Sequence, residues 1–304
     1  MRGILFGYFL LLTPLYANLS TVQYNHIRLT AHEKDWTFGK EVVETIQSSM
    51  LDIENKLGLF EMIAVHVMIL PTEYDFQKWT GGQIPDWGIA AADAQNSIIF
   101  LKSSRFERPD INMKIIVIHE LCHVILGHVA EHRPLPRWFD EGFALYNSGE
   151  LRWESNILLA RSLVSNQIIP LDAINDVLNF NMQKAALAYR ESLAAIEYLI
   201  EQYGIEVLAR LVLAITDGQS MEKAILSVTG VSIITFEKQW IEYLRQKYLW
   251  YAILDTRIIL SLLFVGLFLL TWIRKKYQSR QQRVIWENEA DHELFFKQEN
   301  STLD

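Results

Sequence analysis

The chain has 304 residues, half of them apolar and 21% charged, enough to fill the core of one large domain or two small ones. Its formal charge is −8 at a pI of about 5.5, and no basic stripe is interleaved with aromatic residues, which excludes nucleic acid as the expected partner. Cys122 is the single cysteine, so no intrachain disulfide holds the fold.

In chain order, Met1 and Arg2 precede an apolar run over 4–12, then Pro14 and the small residue Ala17, a pattern that predicts a signal peptide over 1–17. Residues 18–133 predict a mixed α+β lobe. Within it, 24–30 suit a strand and 38–57 show helical spacing of apolar residues. Residues 64–70 alternate Val65, Val67 and Ile69 with His66 and Met68 before stopping at Pro71. Gly81, Gly82 and Pro85 punctuate a loop, after which 88–92 and 97–101 read as strands. A buried helix over 110–127 follows, with Asp110 placed as N-cap and Gly127 near its end. Residues 134–250 predict a helical lobe, its helices over 171–178, 182–203, 205–215, 221–228 and 233–248 parted by Gly204, Gly218 and Gly230.

Residues 258–273 contain no charge and are read as one C-terminal transmembrane helix. At 1.5 Å per residue the run rises about 24 Å against a hydrocarbon core of about 30 Å. Flanking Tyr248, Trp250, Tyr251, Trp272 and Tyr277, with a snorkelling Arg257, are expected to extend it. Arg274, Lys275, Lys276, Arg280 and Arg283 follow, so 274–304 is expected as a disordered cytoplasmic tail and the body as periplasmic or extracellular.

Inside the 110–127 helix lies His119-Glu120-Leu121-Cys122-His123. Positions four apart are separated by about 40° around a helix, so both imidazoles project from one face and can share a cation. Glu120 sits about 100° from His119. Burying three such polar groups in an Ile/Val/Leu helix costs several kcal/mol unless something binds them, which disfavours a plain pair of core histidines. A catalytic zinc also needs a third protein ligand and an open position. His128 fails the metzincin spacing, in which glycine and histidine stand three and six residues after the second ligand; here Gly127 and His128 stand four and five after His123. His132 lies in a Pro-punctuated loop without fixed geometry. Glu141 is the better candidate, since a short helix over 136–144 can return its carboxylate against the first helix. Cys122 lies on another side of the helix from the imidazoles and reads as core.

The segment HELCH, followed 18 positions later by the glutamate of WFDEGFALY, resembles the gluzincin zinc peptidases, and among them the peptidase MA-like group. Trp138, Glu141, Gly142 and Ala144 stand where that group has its W-x-x-E-G-x-A element. Pro85-Asp86-Trp87-Gly88-Ile89-Ala90 is similar to the loop and edge strand before the active-site helix, and residues 189–204 to the long helix behind the site. The resemblance implies a gluzincin-like α+β fold in which His119, His123 and Glu141 hold one Zn2+ and Glu120 is the general base for the zinc-bound water. It also implies an oxyanion donor, for which Tyr189 is the candidate. Asp140 is a candidate for orienting a ligand histidine, the alternative being simple charge at a helix N-terminus.

The function so implied is a membrane-anchored extracytoplasmic zinc metallopeptidase acting on a peptide or protein substrate. The backbone over 88–92 offers a strand edge for an extended peptide, and no G-x-M-E-N element for capturing a free amine is present, which favours an endopeptidase. The alternative is a catalytically inactive gluzincin-like scaffold or binding protein of the cell envelope. An intramembrane protease is disfavoured because Asp110, Lys114 and Glu131 bound the motif-bearing run. Nothing in the sequence signals an oligomeric state, a natural substrate or a cleavage preference.

Overall fold

The computed structural model describes residues 19–59, 62–82, 88–104, 112–150, 153–254 and 256–301. The expected signal peptide, the Pro85-Asp86-Trp87 stretch and Asp110 lie outside the described residues.

Where one strand is expected over 24–30, two form: β1 (Leu19–Tyr24) and β2 (Ile27–His32) pair as an antiparallel hairpin, with Tyr24 opposite Ile27. Asn25 makes the reversal at φ 52, a left-handed conformation that asparagine tolerates better than most side chains. β2 then runs parallel to β3 (Val65–Leu70), β3 parallel to β5 (Ile98–Lys102), and β4 (Ala90–Asp93) antiparallel to β5, giving the order β1-β2-β3-β5-β4. The register aligns Leu29, Val67, Ile69, Ile99 and Leu101 on one face, all fully buried. β3, central in the sheet, is buried on both faces, as parallel strands covered on two sides usually are.

Two layers cover the sheet. On one face α2 (Glu73–Trp79), capped by the Thr72 side chain, brings Phe76 against Met68, Leu70 and Phe100. On the other, α1 (Trp36–Lys56) comes so close that a Cβ on Gly39 would stand 2.7 Å from Leu29 and 3.3 Å from Ile69. α3 (Met113–Val129) packs against α1, β4 and β5. Its approach to the turn after β4 depends on Gly127, where a Cβ would meet that of Ala94 at 2.6 Å.

After Pro136 the chain is helical, as the glycine spacing predicts: α4 (Arg137–Ser148), α5 (Trp153–Val164), a 3-10 stretch Leu171–Asn179, α6 (Met182–Tyr203), α7 (Glu206–Thr216), α8 (Met221–Thr229) and α9 (Ile233–Tyr248). α4 lies on α6 with backbone nearly touching, because a Cβ on Gly142 would stand 2.4 Å from the Ser192 carbonyl oxygen and 2.8 Å from Ile196. Trp138, Phe139 and Phe143 of α4 are fully buried, and Trp138 and Tyr198 both face Phe236 of α9. Gly142→Ala is therefore expected to destabilise the protein by about 1–3 kcal/mol through overpacking, since the obstacle is backbone and not a flexible side chain. Thermal unfolding of the metal-free chain checks this, and an unchanged melting temperature would refute the close approach.

The residues from Leu249 onward form a separate compact unit, a 3-10 turn Leu249–Leu254 followed by α10 (Thr256–Ser301). Here two expectations are corrected. Among the described residues no helix is long and apolar enough to cross a membrane. The transmembrane helix expected over 258–273 is thereby overturned, and with it the single-pass placement of the chain; membrane association through that helix is not supported. The uncharged run rises only about 24 Å, short of a core of about 30 Å, and the helix continues directly into Arg274, Lys275 and Lys276. The segment expected as a disordered tail is also described as helix as far as Ser301, consistent with its many Gln, Arg, Lys and Glu residues, which lose little rotamer freedom in a helix.

Candidate functional site

α3 begins at Asn112, whose side-chain oxygen accepts the Lys114 N–H at 3.1 Å; this is the N-cap, two residues beyond the expected Asp110. Val117, Leu121, Cys122, Val124, Ile125 and Leu126 are buried, and they settle the helix against the sheet and α1. His119, Glu120 and His123 are half-buried. The two imidazoles stand edge to face with ring centres 4.9 Å apart.

The chain leaves α3 through Glu131 and His132, both left-handed at φ 49 and 58, and re-enters helix at Pro136, where a missing N–H costs nothing. α4 packs on α3 and carries Glu141 in its second turn, 7% exposed. Glu141 Oε2 lies 3.4 Å from His119 Nε2 and 3.8 Å from His123 Nε2. One ligand atom from each of these residues falls within 4.8 Å of the others. Tetrahedral zinc with bonds of about 2.0–2.1 Å needs ligand atoms about 3.3 Å apart, so the donor set and its spacing fit the ion.

Charge in the site points the same way. Burial opposes ionisation of Glu141, but hydrogen bonding to His119 and the charges of His123, His119 and Arg137 outweigh it and hold the carboxyl at about 2. Burial likewise opposes the His123 imidazolium, yet the charge and hydrogen bond of Asp140, with Glu141 and Glu120, raise its pKa to about 10. His123 Nδ1–H donates to Asp140 Oδ1 at 2.8 Å, a contact that leaves Nε2 as the free donor atom. Burial raises the pKa of Glu120, against the pull of both histidines. Four carboxylates, of Glu120, Asp140, Glu141 and Glu150, thus surround two imidazoles, a concentration of negative charge that suits a dication.

The remaining sequence candidates separate clearly. Tyr189, on α6, is near enough that after burial itself the Glu141 charge is the largest influence raising its phenol to about 12, with Glu150 and Glu120 adding and Arg137 opposing. His128 and His132 are exposed and face each other at 6.5 Å, outside the cluster. Cys122 is fully buried, and burial pushes its thiol well up. Two neighbours were not anticipated. Arg137 Nε stands 3.5 Å from Glu141 Oε1, one helical turn before it, a pairing that i,i+4 spacing on α4 would have revealed. Glu150 Oε2 stands 3.7 Å from His119 Nδ1, across 31 residues of sequence and with no local signal.

Compared with known proteins, residues 51–246 match the Peptidase MA superfamily, a span that holds α3, α4, α6 and every residue of the cluster. No curated protein matches the chain. The family match covers well over half of the sequence and agrees with the resemblance carried by HELCH and WFDEGFA, so the chain belongs to the peptidase MA superfamily, with the peptidase-type function and peptide or protein substrate that this family implies.

Proposed function

We propose that the chain is a zinc-dependent endopeptidase whose His119 Nε2, His123 Nε2 and Glu141 Oε2 hold the metal and whose Glu120 is the general base. The observation that carries this reading is the convergence of those three atoms from two helices, with distances of 3.4 and 3.8 Å to the shared carboxylate oxygen. Zinc bound there supplies a Lewis acid that polarises a carbonyl and brings the pKa of a coordinated water toward about 7. Glu120, next to His119 on α3, accepts a proton and passes it to the departing amine. Tyr189, whose phenol is raised to about 12 by burial and the Glu141 charge, stays protonated at neutral pH and is the residue we assign to donate to a developing oxyanion.

The sheet supports a peptide substrate. Among the described residues β4 pairs only with β5 and packs beside α3, so its other edge is where an extended peptide would add as a strand. Such pairing reads a peptide along its backbone on both sides of the scissile bond, and the sequence has no G-x-M-E-N element for capturing a free amine, which together favour internal cleavage. Metal analysis of the purified chain is expected to find one zinc, and 1,10-phenanthroline to abolish hydrolysis of a denatured protein until zinc is restored. Wild-type protein without zinc overturns the reading, and zinc without any hydrolysis favours the scaffold alternative.

A further inference from the structure

The two imidazoles of the cluster are not supported alike. His123 donates its Nδ1 proton to Asp140 at 2.8 Å, whereas His119 Nδ1 is buried and has no hydrogen-bond partner among the described residues. Water does not reach that atom, and a buried N–H without an acceptor is costly to keep. The carboxylate facing it belongs to Glu150, whose Oε2 is 3.7 Å away and whose side chain is 46% exposed. Gly149 sets this up: it ends α4 in a left-handed turn at φ 69, with open space around it, and Glu150 is the first residue beyond.

We infer that Glu150 is a positioning residue for His119, accepting its Nδ1 proton and so fixing the tautomer that leaves Nε2 free to bind the metal. The inference rests on the metallopeptidase reading above. From 3.7 Å a modest rotation of an exposed, unbranched side chain reaches hydrogen-bonding distance. A carboxylate acceptor also draws charge toward the imidazole and makes it a stronger ligand, as Asp140 does for His123. Both supports then come from α4 and its cap, the element that also supplies Glu141. No motif marks Glu150, since its relation to His119 exists only once α4 is packed on α3.

Zinc affinity of the full chain, measured by chelator competition, tests this. Glu150→Ala is expected to weaken zinc binding by about 10- to 100-fold, and Glu150→Gln, which keeps an acceptor oxygen, by less. The cobalt-substituted protein is expected to show shifted visible d–d bands in Glu150→Ala, while metal-free melting stays at the wild-type temperature because the side chain is exposed. Zinc affinity within twofold of wild type overturns the inference and leaves the metallopeptidase reading standing. Weakened binding with lower metal-free stability and an unchanged cobalt spectrum assigns Glu150 a merely structural part and also overturns it. A wild-type chain that binds no zinc overturns both readings together.

Discussion

Glu120→Gln is expected to keep its zinc and to lose about 10²- to 10⁴-fold in kcat on a denatured protein, with KM little changed. The amide has the shape of the carboxylate but cannot accept a proton at neutral pH. The substitution therefore removes proton transfer and spares the ligand set. It should not cost stability either, because burial already raises the Glu120 carboxyl and makes its charge expensive to hold. Metal content, melting temperature and kcat measured on one preparation separate the possibilities. Activity within a few-fold of wild type would remove Glu120 from the reaction, and loss of zinc would recast it as a ligand.

Glu141→Gln is expected to lose zinc by more than about 100-fold in affinity, beyond the range seen when only an outer partner of a ligand is removed. Glu141 supplies the oxygen shared by both histidines, and no other carboxylate is placed between their Nε2 atoms among the described residues. The effect on the metal-free protein has a definite sign. Glu141 is among the groups that raise His123, so neutralising it is expected to lower the His123 pKa below about 10. That can be followed by NMR titration of the imidazole. His128→Ala serves as the contrast, because His128 is exposed and outside the cluster, and it should leave zinc affinity unchanged. Equal losses in both variants would make His128, in the last turn of α3, a candidate ligand beside Glu141.

Much of this site is legible before folding. The four-residue spacing of His119 and His123 sets them on one helical face by helix geometry alone, and the Trp-x-x-Glu-Gly pattern around Glu141 names the third donor type. The glycines at 204, 218 and 230 mark helix ends because those positions take left-handed or otherwise unusual backbone. Elsewhere local pattern misleads or is silent. α2 and α5 are short or weakly patterned and escape notice. The first hairpin hides in what looks like one strand, because a single Asn25 makes the turn. An uncharged run of hydrophobic residues satisfies the composition of a membrane span without its length.

The sequence by itself therefore determined the chemical types at the site, the helix that carries two of them and the family to which the chain belongs. Only the tertiary structure decided which carboxylate serves which imidazole: Asp140 on His123, Glu141 between both, and Glu150 facing His119. Periodicity reports angles within one helix, whereas these pairings depend on how closely α4 can lie on α3 and α6. On the α6 side that closeness depends on the missing side chain of Gly142 against the Ser192 carbonyl.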